Sequence, residues 1–121
     1  MRILIVEDSE MNLEIVRVIL MAMGHDVIEA HDGNHGFDLA LAEQPDLILT
    51  DYHMPGMTGI EMVQKIRVTP GIQHIPVIAM TADIYAKDDL MQAGCDAYLA
   101  KPIRKGSLLR TIHQVYAVSS A

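Results

Sequence analysis

LILTDYHMPGMTG, residues Leu47 to Gly59, runs from an unbroken apolar segment into an aspartate and then into a proline and two glycines. Leu47, Ile48 and Leu49 are apolar on every side, the pattern of a strand covered on both faces of a sheet. Asp51 is where that strand meets water. A carboxylate inside such a strand is costly unless neutralised, but at the carboxyl end it faces the crevice where open α/β sheets gather ligands. The plainer alternative is an aspartate that only opens a loop, and the rest of the chain has to separate the two.

Upstream, Ile3-Leu4-Ile5-Val6 is a short β-branched run that stops at Glu7-Asp8, the same design as at Asp51. Ser9 is placed to cap a helix over Met11 to Met23, where Leu13, Val16 and Leu20 recur at helical spacing before Gly24 ends it. His25 to Ala30 suits a second strand, Asp32-Gly33 a turn, and Phe37 to Ala42 a second helix that stops ahead of Pro45.

Downstream, Thr58 and Glu61 stand in the T-x-x-E relation of a capping box and open a helix whose inward stripe is Met62, Val63 and Ile66. Thr69-Pro70-Gly71 breaks it. Pro76 to Met80 is a fourth strand ending at Thr81, followed by a helical stretch from about Tyr85 to Ala93 that Gly94 closes. Ala97 to Ala100 is a fifth strand ending at Lys101-Pro102. Leu108, Leu109, Ile112, Val115 and Tyr116 then stripe a last helix, with fraying expected from Ser119.

Strict alternation of five strands and five helices predicts an α/β fold, a doubly wound parallel sheet with helices on both faces, because parallel neighbours need right-handed crossovers. The strand ends then carry Glu7 and Asp8, Asp51, Thr81 and Lys101 to one edge. With 121 residues, 50% of them hydrophobic, the chain is expected to be one domain spanning residues 1–121. A net charge of -7 and a pI near 5.1 argue against direct nucleic-acid binding and against an anionic membrane. No stretch is apolar for long enough to span a bilayer, and Met1-Arg2 leads straight into a strand and not into a cleavable signal, so a cytoplasmic location is expected. Cys95 is the only cysteine, which leaves no disulfide or CxxC site and predicts a buried thiol.

Carboxylates gathered without nearby His or Cys ligands favour a hard, oxygen-seeking divalent ion, and with so few protein ligands Mg2+ suits better than Ca2+. A carboxylate beside such an ion can attack phosphorus and form an acyl phosphate. Charge spreading over the phosphoryl oxygens then needs fixed donors, and the Thr81 hydroxyl and Lys101 ammonium are placed to supply them.

These residues, in this order and along essentially the whole chain, resemble the receiver domain of bacterial two-component response regulators, in its chemotaxis-type single-domain form. The resemblance implies a flavodoxin-like sheet of strand order 2-1-3-4-5. It makes Asp51 the phosphoacceptor, with Thr81 and Lys101 as its catalytic partners. It also implies Mg2+ held by Asp8, Asp51 and the His53 carbonyl, with Glu7 acting through water. The donor would be a histidine kinase or a histidine phosphotransfer protein, and Thr81 and Tyr98 would be the moving parts of a switch. The face built by the fourth helix, fifth strand and fifth helix, around Tyr85, Tyr98, Arg104 and Lys105, would bind a downstream protein target. Such a protein is a signalling switch and catalyses only its own phosphorylation and dephosphorylation. Two features depart from the commoner pattern: Glu7 replaces the usual Asp, and His53 stands two residues past the phosphoacceptor. His53 and Asp83, each two residues beyond a site residue, are expected to set how fast water reaches the acyl phosphate.

Plainer roles account for much of the remainder. Met11, Met21, Met23 and Met62 have apolar helical neighbours and are expected to fill the core, whereas Met54 and Met57 suit partner contact and local packing equally. Gly33 between His31 and His35 makes a metal pair there improbable. An aspartyl-nucleophile phosphatase would want an acid where His53 stands. The alternative within the family is a pseudo-receiver that binds partners without phosphorylation.

Overall fold

The computed structural model describes every residue except Pro55, Ile84, Ser120 and Ala121, and every side chain of the rest except those of residues 117–119. The elements are β1 (Arg2–Val6), α1 (Glu10–Ala22), β2 (Asp26–Ala30), α2 (Gly33–Glu43), β3 (Leu47–Asp51), α3 (Gly59–Arg67), β4 (Val77–Thr81), α4 (Lys87–Ala93), β5 (Ala97–Ala100) and α5 (Lys105–Ser119). All four strand pairings are parallel, in the order β2-β1-β3-β4-β5. The doubly wound architecture is therefore the one its alternating pattern predicts. Of the tail expected to fray, Ser119 is still the last residue of α5, and Ser120 and Ala121 lie outside the described residues.

Side chains alternate across a strand, so each central strand feeds two apolar layers. Ile3, Ile5, Leu47, Leu49, Ile78, Met80 and Leu99 pack with Leu13, Val16 and Leu20 of α1 and Leu108, Ile112 and Val115 of α5. Leu4, Val6, Ile48, Val77 and Ala79 face the other way, against Phe37, Met62, Val63, Ile66 and Leu90 of α2, α3 and α4. Every residue of β3 and of β4 is buried, as a strand covered on both faces requires. The same alternation aims the strand ends. Glu7, Asp51 and Lys101 continue the Ile3–Ile5, Leu47–Leu49 and Ala97–Leu99 series and emerge on one face, while Thr81 continues the Val77–Ala79 series and emerges on the other.

Three helices, α1 to α3, begin where capping residues satisfy their free N–H groups. Ser9 Oγ accepts from Asn12 N (3.4 Å), Asp32 Oδ1 from His35 N (2.7 Å), and Thr58 with Glu61 forms a complete capping box. α4 begins differently. It starts at Lys87, later than its sequence pattern predicts, and has no side-chain cap. Asp83 takes the Tyr85 N–H on its carboxylate (2.9 Å) and the Ala86 N–H on its carbonyl (3.2 Å), so the chain turns once before it can wind.

The methionine expectation holds for Met62, which is fully buried, and fails for three others. Met11 and Met21 are 71% and 59% exposed, and Met23 is half-buried at the α1 C-cap. A helix on a sheet buries one stripe, and Leu13, Val16 and Leu20 already occupy it. Met54 is buried and Met57 is packed against the same layer, which settles their open alternative toward local packing. Cys95 is buried as expected, and burial pushes its thiol up to about 12.

At the end of the sheet away from Asp51, Arg67 donates to the carbonyls of Gly94 (2.9 Å) and Ile75 (2.6 Å) and pairs with Asp96 (2.8 Å). The Asp96 carboxylate also accepts the Val77 N–H (2.8 Å). One guanidinium thus ties the end of α3 to the starts of β4 and β5, which fixes where their far ends fall.

Candidate functional site

β1 leads to β2 on one side and has β3 on the other, so the strand order reverses between β1 and β3, where such folds place their ligand crevice. Glu7 and Asp8 border that crevice from β1 and Asp51 from β3. Carboxylate oxygens of all three lie within 4.8 Å of one another. Glu7 and Asp51 are buried and Asp8 is exposed, so the cluster opens outward on the Asp8 side.

Lys101, reaching across from the end of β5, sets one positive charge between the buried pair. Its ammonium lies 2.9 Å from Asp51 Oδ1 and 3.0 Å from Glu7 Oε2. The other Glu7 oxygen accepts the Ser9 N–H (3.2 Å), so the extra methylene of a glutamate lets one side chain serve both the lysine and the start of α1. Burial raises the Glu7 pKa, opposed by the Lys101 hydrogen bond and reinforced by the nearby Asp51 charge. For Lys101, burial works against the ammonium, but hydrogen bonds to Asp51 and Glu7 outweigh it and its pKa is raised. These opposing effects favour the ammonium form of Lys101.

Thr81 is buried at the end of β4, and its hydroxyl oxygen accepts the Asp83 N–H (2.9 Å), leaving the hydroxyl proton to be donated elsewhere. Asp83 itself is exposed and spends its carboxylate on the Tyr85 N–H. His53 is exposed, with its ring edge-on to Tyr52 at a centroid separation of 4.2 Å. Tyr98 lies opposite Ala79 in the sheet register, is 37% exposed, and has the Lys87 ammonium 5.6 Å from its ring centre. Its side chain therefore stands outward.

Two glycines shape the loop after Asp51: Gly59, and Gly33, which its sequence context marks only as a turn residue. A Cβ on Gly59 would lie 2.4 Å from the Asp51 carbonyl oxygen, and one on Gly33 would lie 2.6 Å from the Met57 carbonyl oxygen. Neither distance is tolerable for a side-chain carbon, so α3 and α2 reach this close to the loop after Asp51 only through glycine. The available signals were the position of Gly59 directly after the Thr58 cap and that of Gly33 directly after the Asp32 cap.

A donor set of three carboxylates, open to solvent at Asp8, has the oxygen chemistry and the charge that fit Mg2+. A doubly wound sheet carrying this cluster and a lysine at its reversal point defines a receiver-type signalling module. Consistently, the family model of the response regulator receiver domain matches residues 3–113, and the chain belongs to that family. The polar-differentiation response regulator DivK of Brucella anthropi is 38% identical over 112 residues, 91% of each chain. The chemotaxis response regulator CheY4 of Vibrio cholerae superposes with a TM-score of 0.88 at 29% identity, covering 94% of this chain and 97% of its own. The receiver domain of a sensor histidine kinase from Pseudomonas aeruginosa, with a magnesium ion coordinated in its active-site cleft, gives a TM-score of 0.87 at 31% identity, covering 93% and 94%. Among the described residues no helix is long and apolar enough to cross a membrane.

Proposed function

We propose that Asp51 is a phosphoacceptor, loaded by the phosphohistidine of a histidine kinase or histidine phosphotransfer protein. An Asp51 carboxylate oxygen attacks phosphorus, the P–N bond of the phosphohistidine breaks, and the departing electron pair stays on the donor imidazole nitrogen, which regains a proton. Asp8, Asp51 and the His53 carbonyl would hold Mg2+, with Glu7 acting through water. The ion's chemistry would be to screen the carboxylates and draw charge from the phosphoryl oxygens. The Lys101 ammonium, already on Asp51, holds that carboxylate in place and supplies a fixed positive charge beside the incoming group. The Thr81 hydroxyl donates its proton toward a phosphoryl oxygen.

Moving Thr81 toward the phosphoryl group vacates space beneath β5, and Tyr98 turns inward from Lys87 to take it. Phosphorylation favours the inward state because the Thr81 contact exists only there. The readout is the groove of about 290 Å3 between α4, β5 and α5, lined by Lys87, Met91, Tyr98, Thr111 and Val115, where a downstream protein docks. His53 and Asp83, on either lip, govern access of water to the acyl phosphate.

The observation that carries this reading is the meeting of Lys101 with Asp51 and Glu7, with Asp8 beside them. Incubation with acetyl phosphate and Mg2+, followed by intact-mass measurement, should show one added phosphoryl group. Asp51→Asn, or a chelator, should abolish the gain. No gain in the wild type would leave a module that binds partners without phosphorylation.

A further inference from the structure

The molecule's cations fall into two groups. Of nine Lys and Arg residues, Arg2, Arg17, Arg67 and Lys101 pair with acids, and Lys65 and Lys87 lie over the rings of Phe37 and Tyr98. The other three are Arg104, Lys105 and Arg110. All are exposed, and none joins an ion pair or a ring contact among the described residues. All three lie at the cap or in the first two turns of α5.

Two features make their field stronger than their number implies. The last acid of the chain is Asp96, so nothing on α5 offsets them. Arg104 and Lys105 also stand at a helix N-terminus, where the macrodipole already concentrates positive charge, and the first turn contains no acid. Such placement opposes helix stability and is compensated when an anion arrives. Arg110 is six residues past Arg104, but its guanidinium folds back along the helix, within 3.4 Å of where a Gly106 Cβ would stand. Arg110 thereby lies back toward the first turn of α5, which Lys105 opens and Arg104 precedes, and beside Ser107, Thr111, His113 and Gln114.

We propose that this region of α5 docks an acidic segment of a partner protein. Charge complementarity selects the occupant. Three cations are fewer than a nucleic-acid site needs to release enough counterions, and a phosphate polymer laid along α5 would meet the acidic remainder of a chain of net charge -7. They are also fewer than the basic clusters that hold anionic membranes. A short acidic peptide covers two helical turns and avoids the rest. Thr111 and Gln114 also line the groove between α4, β5 and α5, whose lining acid, Asp96, is paired with Arg67, so a segment on α5 has a path into it beside Lys87. The inference names the chemistry of the partner at that face; it rests on the proposed function only for the switching, not for the charge.

The test uses the full chain and a labelled oligoglutamate peptide in fluorescence anisotropy, with Arg104→Gln, Lys105→Gln and Arg110→Gln combined. A control of equal net charge places Gln64→Glu, Gln73→Glu and His74→Glu on exposed positions far from α5 in sequence. Wild type and control should bind, with affinity falling as salt is added, and the α5 variant should lose about tenfold or more. No wild-type binding, equal loss in the control, or tighter binding of duplex DNA or phosphatidylserine vesicles than of the peptide would each overturn the proposal. Arg110→Gln alone, which leaves the helix start untouched, should give a partial loss and guards against a folding defect in the triple variant. Acetyl phosphate should still add mass to the α5 variant. If peptide binding holds while mass gain fails in every form, the phosphoacceptor reading falls and this one stands.

Discussion

The crevice at the strand ends and the outer side of α5 both concentrate charge, and they handle it in opposite ways. In the crevice Glu7 and Asp51 are 1% and 6% exposed and share one lysine at 3.0 and 2.9 Å. On α5 three cations stand in water with no acid on their own helix. Burial makes a charge expensive, so the crevice is stable only as a matched set, and replacing one member alters all of them. Exposure makes a charge cheap, so α5 keeps its cations unmatched and available to another molecule.

The sharpest way to break this contrast is to remove the shared lysine. Lys101→Met leaves two buried carboxylates facing each other. It should cost about 3–5 kcal/mol in denaturant unfolding at neutral pH without metal. Adding Glu7→Gln should recover part of that loss, and a double variant no more stable than Lys101→Met would show that the carboxylates do not repel.

The pH profile separates the regions next. Because the Glu7 pKa is raised, the folded state holds a proton that the unfolded chain has given up. Its contribution is therefore complete below the ordinary value of 4.5 and is lost as pH climbs through the raised one. In chelator, Glu7→Gln should flatten the decline in stability above pH 4.5, while Lys105→Gln should leave that slope unchanged.

The smallest effect belongs to α5. Lys105→Glu places a negative charge at the positive end of the helix dipole and should raise stability by about 0.3–1 kcal/mol, read as a higher Tm. A fall in Tm would mean that Lys105 has an intramolecular role, and the contrast between the regions would weaken.

Much of this architecture is legible in the primary structure because its signals are local. The all-apolar run before Asp51, the Thr58–Glu61 box and the Gly94 stop each act within a few residues, and each operates in the folded chain as its spacing predicts. Legibility fails where a residue's fate depends on what is already packed beside it. Met11 and Met62 both sit in apolar helical company, but one is in water and the other at 0% exposure, because only the sheet decides which side of a helix is covered. The late start of α4 has a different, local origin that hydrophobic period does not register, an Asp83 side chain that takes the Tyr85 N–H.

By itself the chain of residues determined the alternation of strand and helix, and which polar groups end the strands, since both follow from hydrophobic period and local capping. Tertiary structure alone decided that Lys101 meets Glu7, 94 residues away, and that Arg67 aligns β4 with β5 from the opposite end. It also decided that Arg104, Lys105 and Arg110, at the start of α5, have no ion-pair partner among the described residues. The physical reason is that side-chain period is a property of neighbours along the chain, whereas pairing of charges across the sheet depends on strand order and on the parity with which each strand delivers its last residue.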